Sequence, residues 1–132
     1  MTLQIPPNCD LTLGLTCVDK STPGTTVWAM TADERMVNPA GLVQGGFLAA
    51  MADSAMGASA VTAMEGRRVS VVNTGMTISL LRAVRPGDRL TCTARVLRSG
   101  TLVSFVEARI VNASEEVVAT ANSSFLAKAR AE

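Results

Sequence analysis

Asp53 is a carboxylate in an unusual setting. It lies inside Gly45-Gly46-Phe47-Leu48-Ala49-Ala50-Met51-Ala52-Asp53-Ser54-Ala55-Met56-Gly57-Ala58-Ser59-Ala60-Val61, a run otherwise made of apolar and very small residues. An ionised side chain in a buried helix is strongly unfavourable unless it is paired or hydrogen-bonded. Burial also pushes a carboxyl pKa upward, toward values useful for proton transfer. Asp53 is therefore the first candidate for acid–base chemistry. The chain contains no histidine. That excludes Ser-His-Asp and Cys-His catalysis and histidine-ligated zinc, and leaves acid–base work to Asp or Glu.

The elements that must hold Asp53 follow from patterning. Residues 45–64 read as one long helix that is apolar on every face, which predicts a buried helix; its Ala, Gly and Ser positions let a sheet approach closely. Residues 1–10 and 127–132 are expected to be irregular. Thr12–Val18 and Thr25–Thr31 read as short strands, and residues 32–41 as a loop around Asn38-Pro39. Glu65-Gly66-Arg67-Arg68 supplies a basic last turn and a C-terminal glycine for the helix. Val69–Leu81 is extended, with Gly75 a bulge or a point of close approach. Arg89–Leu97, Leu102–Val111 and Glu116–Leu126 alternate as strands, joined at Ser99-Gly100 and at 112–115. The expected architecture is two short strands, one buried helix and a four-stranded meander. It is α+β: an antiparallel sheet curled around one central helix, forming a single domain over residues 1–132.

Composition bounds the function. The chain has 132 residues, 48% hydrophobic, with a net charge of +1. No basic face for nucleic acid is implied. Cys9, Cys17 and Cys92 are widely spaced, without a C-x-x-C pair. That argues against a disulfide framework or a structural zinc site and fits a reducing, cytoplasmic setting. Neither a signal peptide nor a membrane span is expected.

The segment Asn38-Pro39-Ala40-Gly41-Leu42-Val43-Gln44-Gly45-Gly46, continued through Asp53 and Gly57, resembles the signature of the hotdog-fold thioesterases, specifically the phenylacetic acid degradation (PaaI-like) branch. Downstream, Ile78–Asp88 and Ser99-Gly100-Thr101 are similar to that family's second strand-and-turn and its hairpin. The likeness covers nearly the whole chain. One departure matters: the family's usual histidine is Gln44 here. Gln donates a hydrogen bond but does not titrate.

The resemblance implies a hotdog fold and an acyl-CoA thioesterase that binds substrate between two subunits, as a homodimer or dimer of dimers. CoA is then part of the substrate, and no separate cofactor or metal is implied. The Gly45 N–H, assisted by Gly46, would polarise the thioester carbonyl at the helix N-terminus. Asp53 would act as general base or as nucleophile. Asn38 would order the loop or the attacking water, Gln44 would place the carbonyl, and Asn73 would reach the water across the dimer. Thr74, Arg82, Arg85, Arg98 and Gly100 are the further substrate-binding candidates, the arginines for CoA phosphates. The competing readings are a hotdog module that binds acyl-CoA without hydrolysing it, and a hotdog dehydratase or hydratase, which the missing histidine disfavours.

Overall fold

The computed structural model describes residues 4–65 and 67–130. In chain order they form α1 (Asn8–Leu13), β1 (Thr16–Thr22), β2 (Thr25–Thr31), a 3₁₀ turn (Glu34–Met36), α2 (Gly45–Thr62), β3 (Val69–Leu80), β4 (Arg89–Ser99), β5 (Val103–Val111) and β6 (Val117–Ala129). The strands make one antiparallel sheet in the order β1-β2-β4-β5-β6-β3. α2 crosses its inner face and touches every strand. This is the hotdog architecture expected from the sequence. No helix among the described residues is long and apolar enough to cross a membrane.

Alternation along the strands builds the core. Thr26, Trp28 and Met30 of β2, Leu90, Cys92 and Ala94 of β4, and Val106, Ala108 and Ile110 of β5 all point inward and are buried. They form rows across the sheet, Trp28 beside Cys92 and Cys92 beside Ile110. Against these rows α2 sets Leu48, Met51, Ala52, Ala55, Met56, Ser59 and Ala60, the three-and-four spacing of one helix face. A buried polar knot fixes the helix to the sheet. Ser59 Oγ lies 3.0 Å from the Ala94 carbonyl and 2.7 Å from Thr26 Oγ1, which also accepts from Trp28 Nε1 at 2.9 Å.

Four expectations need correction. The N-terminal segment is irregular only in part: residues 4–7 are, residues 1–3 lie outside the described residues, and Asn8–Leu13 is helical, closed by Gly14 in the left-handed region at φ +67, so that it takes residues expected in a strand from Thr12. At the other end β6 runs to Ala129, because Ala127–Ala129 pair with Val69–Val71 of β3. The meander has three strands rather than four. β3 pairs with β6, not β4, so the 81–88 segment crosses back over the sheet, held by Val43 N–H to the Val84 carbonyl and Gly87 N–H to the Ala32 carbonyl, each 2.8 Å. Finally, α2 is buried on one side only. Gly46, Asp53 and Val61 are exposed and Ala49, Ala50, Ser54, Gly57 and Ala58 partly so. The expected C-terminal glycine, Gly66, lies outside the described residues.

Candidate active site

The chain enters α2 through a tightly tied loop. Asn38 Oδ1 accepts from the N–H groups of Ala40 (2.9 Å) and Leu42 (3.1 Å), while Asn38 N–H donates to the Leu42 carbonyl at 2.7 Å. Of the two roles foreseen for Asn38, ordering the loop is the one its oxygen performs. Gln44 N–H then donates to the Met36 carbonyl at 2.9 Å. Gln44 is the N-cap residue in extended conformation, and its exposed side chain makes no capping bond.

The consequence is a helix start with free donors. The first N–H groups of a helix have no internal acceptor. Here neither Gly45 nor Gly46 has a bonded N–H, whereas Phe47 N–H already turns back to Gln44 at 3.0 Å. Gly45 opens on a shallow cleft of about 340 Å³ lined also by Asn38, Leu42, Leu48, Leu80 and Arg82. Leu80, 52% exposed, puts its Cδ1 where a Cβ on Gly45 would go. Arg82 is tied to Glu116 at 3.1 Å across partly exposed surface. Arg85 donates only its backbone N–H, to Asp88 at 2.9 Å, and its side chain is exposed.

Asp53 stands elsewhere. Eight residues along α2 separate it from Gly45 by about 12 Å of axis. It is exposed, so the burial anticipated from its apolar surroundings is absent in the single chain. The reason is compositional: its apolar neighbours are mostly Ala and Gly, too small to cover it. Its partner is Asn73 of the same chain, whose Nδ2 donates to Asp53 Oδ1 at 2.9 Å. In the single chain Asn73 thus meets Asp53 directly. The expected bulge lies here, with the register slipping between Asn73 and Gly75. Before it Val71 and Asn73 face α2; after it Met76 and Ile78 do. Thr74, the extra residue, is bonded to β6 through the Ser124 carbonyl (3.1 Å) and Oγ (2.8 Å).

Arg98 and Gly100 form a third group. They sit at the β4–β5 hairpin, where Gly100 N–H meets the Val103 carbonyl at 2.8 Å. The hairpin is contacted by Arg67, just past the C-terminal end of α2. The predicted residues thus divide among the start, the middle and the far end of an 18-residue helix. Sequence reading missed Leu80 and also Ser123, a buried hydroxyl on β6 beside Asn73. Ser123 carried a usable signal, being the polar residue in the inward row Ala119, Ala121, Ser123, Phe125. A larger concavity, about 1110 Å³, lies on the outer side of the sheet around Thr93, Arg95 and Glu107 and contains none of the predicted residues.

Chemically, the chain offers free amide donors, one carboxylate and one anchored carboxamide. Cysteine is not a competing nucleophile at the core: burial pushes the Cys92 thiol up to about 12, leaving essentially no thiolate at neutral pH.

Comparison with known proteins places this geometry. A family profile described as Thioesterase superfamily matches residues 40–119. Among solved structures, the Escherichia coli PaaI protein from the phenylacetic acid degradation operon is 28% identical with a TM-score of 0.83, over 89% of this chain and 82% of that one. A phenylacetic acid degradation-related protein of Ralstonia eutropha is 30% identical, TM-score 0.79, over 91% and 89%. The smu.793 protein of Streptococcus mutans, solved bound to acetyl-CoA, shares the fold at 18% identity, TM-score 0.81, over 89% and 91%. None of the curated proteins compared with the chain matches it.

Proposed function

We propose a mechanism on one premise: the chain belongs to the thioesterase superfamily, as a thioester hydrolase, and such an enzyme must gather a carbonyl-polarising donor and a water-activating base around one substrate carbon. The substrate in this reading is an acyl-CoA, in keeping with the acetyl-CoA held by the smu.793 protein. The Gly45 N–H, with Gly46 beside it, donates to the thioester oxygen. Asp53 takes a proton from water as the water oxygen bonds to the carbonyl carbon. The tetrahedral intermediate then expels sulfur, and Asp53 returns the proton to the departing thiolate, leaving free acid and CoA. Donors of this kind are typically worth about 3–4 kcal/mol.

The observation that carries the reading is the separation of base from donor. At about 12 Å of helix axis, Asp53 and Gly45 of one chain do not serve the same carbonyl. Two copies related by a two-fold axis do. An axis midway between the two residues passes near Ala49, and it runs α2 antiparallel to its mate, bringing Asp53 of one copy level with Gly45 of the other. β3 supports the same axis independently. It touches Asp53 through Asn73 and Gly45 through Leu80, so its midpoint between these contacts falls near Met76. β3 is also a sheet edge, free to pair with its own copy, and the outward stripe of α2 is small enough to pack closely. Asp53 would be covered in that assembly. Arg82, Arg85 and Arg98 remain the candidates for CoA phosphates, and Gly100 and Thr74 are secondary to them.

Turnover of a panel of acyl-CoA thioesters tests this. The parent protein is expected to release free CoA, and Asp53→Asn and Asp53→Ala to lower kcat roughly 100- to 10,000-fold, the range for a lost general base. The alternative, a module that binds acyl-CoA without hydrolysis, draws on Gln44 standing where the family has histidine. Tight binding with no turnover by the parent would establish that alternative and end the hydrolase reading.

A further inference from the structure

Resting on that reading and extending it, we infer that Ser123 is a positioning residue: its buried hydroxyl, together with the β3 bulge, holds the Asn73 carboxamide in place against Asp53. Ser123 is 5% exposed and lies opposite Met76 on β3 and Val106 on β5. Its Oγ accepts from Asn73 Nδ2 at 3.3 Å, and the same nitrogen donates to Asp53 Oδ1 at 2.9 Å. The other end of the carboxamide is held too. Asn73 Oδ1 accepts from the Gly75 N–H at 3.0 Å, a donor that the slipped register turns toward the side chain.

The bonds to Asp53 and to the Gly75 N–H select one of the two amide flips, and the Ser123 hydroxyl, which can donate or accept, holds the carboxamide in place. In the reverse flip the Asn73 oxygen would oppose the Asp53 carboxylate, and its NH₂ would oppose the Gly75 N–H. Both contacts are repulsive. The hydroxyl is not needed to join the strands, since the backbone ladder between β3 and β6 already runs through Ser123 and Ser124. A polar group in an otherwise apolar inward row is costly unless it is bonded, and the bond it makes is to the residue that touches Asp53. With Oδ1 held, Asp53 keeps Oδ2 for water.

The test uses the full-length protein. Ser123→Ala is expected to fold, to bind substrate with KM within twofold of the parent, and to lose roughly three- to tenfold in kcat, the size of one neutral hydrogen bond. Ser123→Thr, which restores an acceptor, is expected to recover most of that loss. A second readout does not need turnover: the Asn73 side-chain amide protons, followed by nitrogen-15 NMR, should exchange slowly with water in the parent and in Ser123→Thr, and faster in Ser123→Ala. If the alanine variant does not fold, Ser123→Cys takes its place, keeping a similar volume with a weak acceptor. Unchanged kcat and unchanged Asn73 exchange would overturn the inference, as would a threonine variant as impaired as alanine. Should the parent hydrolyse no thioester, the hydrolase reading fails, while the Asn73 resonances still decide the role of Ser123.

Discussion

Gln44 concentrates the chemical question at the scale of single residues. It caps α2 by backbone geometry alone, and its exposed side chain is uncommitted. In the proposed site it hydrogen-bonds substrate and does nothing that depends on a titrating proton. Replacing it by histidine adds a ring nitrogen able to donate the same bond. Gln44→His is therefore expected to leave kcat/KM equal to the parent or higher; a complete loss, measured on the best acyl-CoA of the panel, would show that the amide itself is required. Asn38 illustrates the opposite case. Its oxygen is consumed by two loop amides, so its contribution passes through the shape of the loop and the placement of Gly45.

Among the elements, α2 governs both stability and placement. Ser59 is its polar anchor, and removing that hydroxyl takes a buried donor from the Ala94 carbonyl, while Thr26 Oγ1 keeps Trp28 Nε1 and the Ala55 carbonyl. Ser59→Ala should cost about 1–3 kcal/mol of unfolding free energy, the usual penalty for stranding buried polar groups, read as a lower midpoint in urea with an unchanged slope. Much of this element level was legible from the chain. The length of α2, the strand alternation, the Gly75 bulge and the fold class all follow from period and turn chemistry, which are local. What was not legible is long-range. Pairing of β3 with β6 rather than β4 leaves no local trace, because an eight-residue crossover reads the same whichever strand it leads to. The exposure of Asp53 escapes the sequence for a related reason: small apolar neighbours look like a core in sequence, yet they cover little surface. The bond between Asn73 and Asp53 depends on a one-residue slip whose effect on side-chain direction appears only in the folded sheet.

For the whole molecule, the separation along α2 yields the most discriminating experiment. Gly45→Pro removes the polarising N–H at the first helical position, where proline is tolerated, and the extended Gln44 before it suits a proline. Leu80 must turn aside for the ring, which its half-exposed side chain permits. Alone, Gly45→Pro and Asp53→Ala should each be nearly inactive. Mixed, unfolded together and refolded, they should regain up to about a quarter of parental activity, because half of the random pairs are mixed and each mixed pair assembles one intact site of its two. Continued inactivity of the mixture, with subunit exchange verified by mass spectrometry, would place base and donor within one chain.

The edge strand β3 has another implication. Its twelve residues, Val69 to Leu80, include no charge and no proline, the devices by which proteins usually keep such a rim from recruiting stray extended peptide. A newly made copy is thus adhesive along this border on either side of its bulge. Mating with a twin would quiet that border as well as complete the chemistry, so selection for solubility and selection for turnover would bear on the same twelve positions.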